Sequence, residues 1–266
     1  LLDKKNNFQF LSHQYEGEYQ LLEIKYKNSI HKIKLNLIGK VQFKNVLMAV
    51  IASIKSNVKI KDILNVIPKI KSVEGRFDRV GRIKNNSKVI LDYAHTPDAL
   101  KICLKNLKEQ FTGHKINLVF GCGGNRDQNK RAKMGKIADL FSDKIYLTDD
   151  NPRLEQPSKI RKDIKIGINK QKVLEFPNRA KAISEAIKQL KTGEILLVAG
   201  KGHENVQEIG EKKYFFSDKK NILGAIKIKN LALSNNLKVN ILNEFNGEKK
   251  ISKKISLKKI RINSRE

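Results

Sequence analysis

The sequence predicts an α/β protein whose larger part is a doubly wound, mostly parallel, Rossmann-like sheet, preceded by the tail of another α/β unit. Three observations carry this expectation. Five short apolar segments, mostly rich in β-branched residues, recur between Lys88 and Gly200 with helix-like stretches between them. The residues before Arg79 follow a different pattern, period-two strands and then amphipathic helices. The length of 266 residues also exceeds one ordinary domain of roughly 150. The expected units are residues 1–78, residues 79–233 and a basic tail, 234–266.

In the first unit, Leu22, Ile24 and Tyr26 alternate with Glu23 and Lys25, and Ile33, Leu35 and Leu37 alternate with Lys34 and Asn36. With turn-like breaks at Glu16-Gly17 and Lys27-Asn28, the stretch 8–39 reads as antiparallel strands. From Val41 to Ser56 the spacing turns helical, with Val46, Leu47, Val50 and Ile51 on one face. A second helix is expected from Ile60 to Ile70, ending near Pro68.

In the second unit the strands are KVILDYA (88–94), KINLVFG (115–121), KIYLTDD (144–150), KVLEF (172–176) and EILLVAG (194–200). Each of the first four leads into a helix-like stretch. Thr96 and Asn178 stand at N-cap positions, and Pro97 at a first helical position where its missing N–H goes unnoticed. A last helix from Ser217 closes the unit near Leu233.

Composition narrows the class. No run of 18 apolar residues occurs, and LLDKKNNF lacks the charged and apolar regions of a signal peptide, so a cytoplasmic protein is expected. The chain opens on Leu and stops inside a basic run, and reads as a slice of a longer one. Cys103 and Cys122 have no His or Cys partner at metal-ligand spacing and read as reduced thiols. The net charge of +28 invites a nucleic-acid reading. Lysine is spread over nearly every segment, however, and no aromatic residues interleave with it as a stacking platform would need. A basic binding module stays as the non-enzyme alternative.

Parallel strands put the turns that follow them on one carboxyl edge, where such sheets bind ligands. Four polar turns meet there: Asp92-Tyr93-Ala94-His95-Thr96-Pro97, Gly121-Cys122-Gly123-Gly124-Asn125-Arg126-Asp127, Asp149-Asp150-Asn151-Pro152-Arg153 and Gly200-Lys201-Gly202-His203-Glu204. Each alone is an ordinary turn, but four on one edge point to a site. A dinucleotide oxidoreductase is a poor fit, because G-x-G-x-x-G spacing is absent and the Gly turn follows the second strand. The bland alternative for DDNPR is a surface turn in which Asp150 and Arg153 pair with each other.

VEGRFDRV, LDYAHTPDAL, FGCGGNRDQNKRAKMG, TDDNPR and AGKGHE together resemble, in order and spacing, the C-terminal domain of the Mur ligases. The resemblance covers residues 1 to about 233. It implies that 1–78 end a central ATP-binding domain and that 79–233 bind an amino acid. The implied activity is ATP-driven amide formation in peptidoglycan precursor synthesis. An acyl phosphate made on the D-glutamate of a UDP-MurNAc-dipeptide is displaced by an incoming amine. DNPR resembles the signature for meso-diaminopimelate rather than L-lysine, whose adding enzymes are the alternative within the family. Arg153 would then grip the far carboxylate, which a planar guanidinium suits better than an ammonium. Asp150 and Asn151 would shape the turn and meet the neighbouring amine, and Pro152 would stiffen it. Arg126 would hold another carboxylate, and Glu204 with the Gly200 backbone an ammonium. Lysine would leave Arg153 desolvated and unpaired.

For ATP the resemblance implies Asn45, Arg76 at the phosphates and Asp92 at the ribose. His95 and His203 stay open between ligand contact and structural hydrogen bonding. The central domain's closing signature, G-x-F-N-x-x-N, reads Gly39-Lys40-Val41-Gln42-Phe43-Lys44-Asn45 here, with Val41 for the aromatic and Gln42 for the first Asn. The magnesium ligands, modified lysine and phosphate loop implied by the family would lie upstream, and no G-x-x-x-x-G-K-S/T occurs. No catalytic residue and no metal ligand is therefore assigned, and the slice alone is not expected to turn over. The end KISLKKIRINSRE resembles the opening of the ligase for the next pathway step, with Asn263 where that opening has an acid, implying a fused parent chain.

Overall fold

The computed structural model describes residues 2–3 and 7–235. The expected tail lies, from residue 236 on, outside the described residues.

The first unit is a four-stranded antiparallel sheet in chain order, β1 (Leu2–Asp3), β2 (Phe8–Glu16), β3 (Tyr19–Tyr26) and β4 (Ser29–Leu35). Its alternation buries Leu22, Ile24, Ile33 and Leu35 on one face, against Phe43, Val46, Leu47 and Val50 of α1 (Lys40–Lys55). The next helix, α2 (Ile60–Val66), stops short of the expected Ile70. Pro68 cannot donate an i→i−4 bond, and the chain tightens into a 3₁₀ turn over Ile67–Lys69.

The second unit has a six-stranded sheet of β5 (Asp78–Arg79), β6 (Lys88–Asp92), β7 (Ile116–Phe120), β8 (Lys144–Leu147), β9 (Val173–Glu175) and β10 (Ile195–Ala199). The order is β5-β6-β10-β7-β8-β9. All neighbours are parallel except β5, which runs against β6. β7 and β10 are buried along their whole length, as strands covered on both faces must be.

Helices α3 (Pro97–Gln110), α4 (Lys130–Phe141) and α5 (Pro157–Lys165) cover one face, with Leu104, Leu107, Ala138 and Ile164 in its core. On the other face lie α6 (Arg179–Gln189) and α7 (residues 218–235), which contribute Ile183, Ile187, Ile222 and Ile226. The two N-caps form as expected: Thr96 Oγ1 accepts from Ala99 N, and Asn178 Oδ1 from Lys181 N.

A feature not expected from the sequence is a hairpin before α7, β11 (Val206–Ile209) and β12 (Lys212–Phe215). The two units meet along a hydrogen-bonded seam. The first amides of α1 have no cap of their own. Instead Gly39 N donates to Gln110 Oε1 (2.8 Å) and Lys40 N to Asn106 Oδ1 (2.5 Å), both from α3.

Candidate functional site

The insertion of β10 between β6 and β7 puts the turn after β10 beside the turns that follow its neighbours. Together with the turn after β8 they enclose a cleft of about 520 Å³, lined among others by Tyr93, His95, Gly123, Arg126, Lys130, Asp150, Asn151, Arg153, Gly200 and Glu204.

The turns after β7 and β8 are zipped together. Gly124 N donates to Asn151 O (2.8 Å), Asn125 N to Glu155 Oε1 (2.5 Å) and Leu154 N to Asn125 Oδ1 (3.0 Å). The approach is so close that a Cβ on Gly124 would stand 1.9 Å from Pro152 O. Gly200, at φ +119, is confined likewise, since a Cβ there would meet Asp150 Oδ2 at 2.6 Å.

Arg153 follows Pro152 in the left-handed region, φ 51, which few residues other than glycine adopt. The hairpin holds it there: Arg153 N donates to Glu208 O (3.1 Å) and Gly210 N to Arg153 O (2.8 Å), so that Arg153 bridges to Ile209 like a short added strand. Its guanidinium is held on two sides, Nε by Glu208 Oε2 (2.7 Å) and Nη1 by Gly124 O (2.9 Å).

The bland alternative of an Asp150–Arg153 pair is therefore not what forms. Asp150 faces Arg179 Nη1 (3.9 Å) and Lys201 Nζ (3.8 Å) instead. The expectation that lysine would leave Arg153 unpaired is also corrected, because Glu208 is a resident partner. Of the five guanidinium N–H bonds, Nε–H and one on Nη1 are engaged among the described residues, which leaves three for a ligand.

Asp149 turns out of the cleft onto Arg161 of α5, and burial lifts its pKa above the usual carboxylate range despite that partner. Asn151 is buried and Glu204 half-buried, joined by Asn151 Nδ2 to Glu204 Oε2 (3.3 Å). Arg126 is exposed at the rim, with no hydrogen bond or ion pair among the described residues.

Two buried cations that sequence reasoning had not assigned stand behind the wall. Lys201, fully buried, donates to Asn151 Oδ1 and Val206 O, both at 2.7 Å. Arg179, 1% exposed, binds Asp218 through Nε (2.8 Å) and Nη2 (2.6 Å). Burial opposes the charge on Arg179, but Asp218 outweighs it and the guanidinium stays protonated. No sequence signal marks Arg179, whereas Lys201 stood inside AGKGHE.

At the other end of the cleft Arg76 stacks over Tyr93, guanidinium carbon to ring centre 4.6 Å. His95 and His203 pack on the same ring, at 4.6 and 5.4 Å between centroids, and His95 Nδ1 lies 2.8 Å from Tyr93 O. Gln42 donates to Arg76 O (3.2 Å), and exposed Asn45 lies one turn on along the same face of α1. Asp92 is buried and already engaged, its Oδ2 by Phe77 N and its Oδ1 by Ala94 N, both at 2.8 Å. Cys103 and Cys122 are free, buried thiols, and burial pushes Cys122 up to about 12. Among the described residues no acidic, His or Cys cluster could hold a metal ion, and no helix is long and apolar enough to cross a membrane.

Residues 75–202 match the family described as Mur ligase, glutamate ligase domain. A UDP-N-acetylmuramoyl-L-alanyl-D-glutamate–2,6-diaminopimelate ligase from Rickettsia typhi is 38% identical over an alignment of 229 residues that covers 81% of this chain and 45% of that protein. The ligase of the same name from Fusobacterium nucleatum is 42% identical over an alignment of 211 residues that covers 77% of this chain and 43% of that protein. A solved structure of a ligase with that name superposes with a TM-score of 0.68 at 30% identity, over 85% of this chain and 46% of the other. The chain spans under half the length of these relatives.

Proposed function

We propose that this chain, whose residues 75–202 match the Mur ligase, glutamate ligase domain, is the amino-acid-binding part of an ATP-dependent amide ligase of peptidoglycan precursor synthesis. Its amino acid is meso-diaminopimelate, added to the D-glutamate of UDP-MurNAc-L-Ala-D-Glu. The γ-phosphoryl group of ATP passes to the glutamate side carboxylate, giving ADP and an acyl phosphate. The amine then attacks the acyl carbon, the new C–N bond replaces the C–O bond to phosphate, and the amine loses a proton. In this reading residues 1–78 end the nucleotide domain, 79–233 hold the amino acid, and the reaction runs in the cytoplasm, where its nucleotide substrates are.

The observation that carries the reading is the fixed Arg153 guanidinium, with three N–H bonds unclaimed beside a wall of Asp150, Asn151 and Glu204. A bis-amino acid presents a carboxylate and an ammonium at its far end. Paired N–H donors suit the first, and the Glu204 carboxylate with the Gly200 backbone suits the second. Arg126 at the rim takes another substrate carboxylate. Arg76, Asn45 and His95 form the edge facing ATP, and Asp92 supports that edge through the Phe77 and Ala94 amides.

The test joins this chain to an upstream phosphate-loop segment and supplies ATP, magnesium and the UDP-dipeptide. Incorporation of meso-diaminopimelate in clear preference to L-lysine is expected. Equal incorporation of both would overturn the role of Arg153.

A further inference from the structure

Lys201 is the buried cation that touches most of the proposed amino-acid wall. Its ammonium donates to Asn151 Oδ1 (2.7 Å), Val206 O (2.7 Å) and Glu204 Oε2 (3.3 Å), and stands 3.8 Å from Asp150 Oδ1. Three of these four acceptors belong to residues facing the cleft.

The consequence for Asn151 is directional. A side-chain amide can present either its oxygen or its NH₂ to a given neighbour. Here the oxygen takes two donors, Lys201 Nζ and Glu208 N (3.1 Å). A flipped amide would aim its NH₂ at an ammonium and at a backbone N–H, both donors, so that orientation is closed. Nδ2 then faces Glu204 Oε2 at 3.3 Å and the cleft. The same ammonium sits between the carboxylates of Glu204 and Asp150 and offsets their mutual repulsion.

We propose that Lys201 is a positioning residue for amino-acid recognition. It never meets the substrate, but fixes Asn151 as a donor and Glu204 as an acceptor, so that the wall matches the paired carboxylate and ammonium of an α-amino acid. The inference rests on the reading of the cleft as the diaminopimelate site, and its test separates the two.

The ¹⁵N-labelled chain is observed by NMR, first alone and then titrated with meso-diaminopimelate. In the ligand-free chain the Asn151 side-chain NH₂ gives a distinct signal pair with slowed solvent exchange. Lys201→Met removes that slowing while leaving the sheet amides in place. Ligand then moves the Asn151 and Glu204 signals of the wild type. Lys201→Met weakens binding about tenfold or more, the scale of one hydrogen bond to a charged group. Asn151→Asp is the second variant should Lys201→Met not fold. It keeps an oxygen toward Lys201 and puts another where the donor was, and a similar loss of affinity in a folded chain is expected.

Binding by Lys201→Met within twofold of wild type, or unchanged Asn151 exchange in that variant, overturns the role of Lys201. Full affinity in Asn151→Asp does the same. A wild type with slowed Asn151 exchange and no response to diaminopimelate overturns the site reading instead, and with it the use of Lys201 in recognition.

Discussion

Replacing Arg153 by Ala isolates the proposed carboxylate clamp. The guanidinium already spends Nε–H on Glu208 and one Nη1–H on Gly124 O, so an incoming carboxylate gains at most two of the remaining three N–H bonds. Charge-assisted bonds contribute about 1.5–3 kcal/mol each. The side chain is 24% exposed, which argues for the low end, and the pair comes to about 3 kcal/mol. That is about 10²-fold in the dissociation constant for meso-diaminopimelate. The same figure applies to rejection of L-lysine by the wild type, because with lysine bound Arg153 still has Glu208. Discrimination near the 10⁴–10⁵-fold of a site left with an orphaned buried group is not expected. Calorimetric titration of both amino acids into wild type, Arg153→Ala and Arg153→Lys measures both quantities, and Lys should restore little for want of the planar fork. The reasoning fails if Arg153→Ala alters ATP affinity alone, or if the wild type binds lysine as tightly as diaminopimelate.

Gly124→Ala should push the two zipped turns apart, since the new Cβ has only 1.9 Å to Pro152 O; amino-acid binding should be lost with a clear fall in Tm. Asp218→Ala should lower stability by about 3–5 kcal/mol, read from denaturant midpoints, because the buried Arg179 charge loses its counter-ion. Glu155 provides a pH test. Burial would raise its pKa, but the Asn125 N–H and Arg131 outweigh this and hold it below the usual value of 4.5. A depressed carboxylate contributes stability that is complete above the unfolded value and lost as pH falls through the folded one. Wild-type Tm should therefore drop more steeply below pH 4.5 than that of Glu155→Gln, and parallel curves would sink the assignment.

The sheet was legible because its central strands β6, β7, β8 and β10 are buried almost throughout and because α3 and α6 carry sequence-encoded caps at Thr96 and Asn178. The edge that holds the cleft followed from parallel topology alone. The hairpin β11–β12 was not legible, because its exposed strands lack the apolar alternation that betrays a half-buried one. With it went the Glu208 partner of Arg153, a contact between residues 55 positions apart (208 − 153). Arg179 carries no sequence signal, and Lys201 stood inside a site turn without a role of its own. Their burial depends on Asn151 and Asp218, which only the tertiary fold brings near. Gln42, a departure from the family's pattern, finds its use in the bond to Arg76 O.

The borrowed cap on α1 bears on any attempt to cut the protein near residue 78. Separating the halves would strip the Gly39 and Lys40 amides of their acceptors and uncover Asn106 and Gln110, now 7% and 5% exposed. A fragment starting at residue 79 would carry two amide side chains evolved to face a missing neighbour, and one ending there would begin a helix with nothing at its head. Chimeras between relatives should therefore exchange the start of α1 and the end of α3 together.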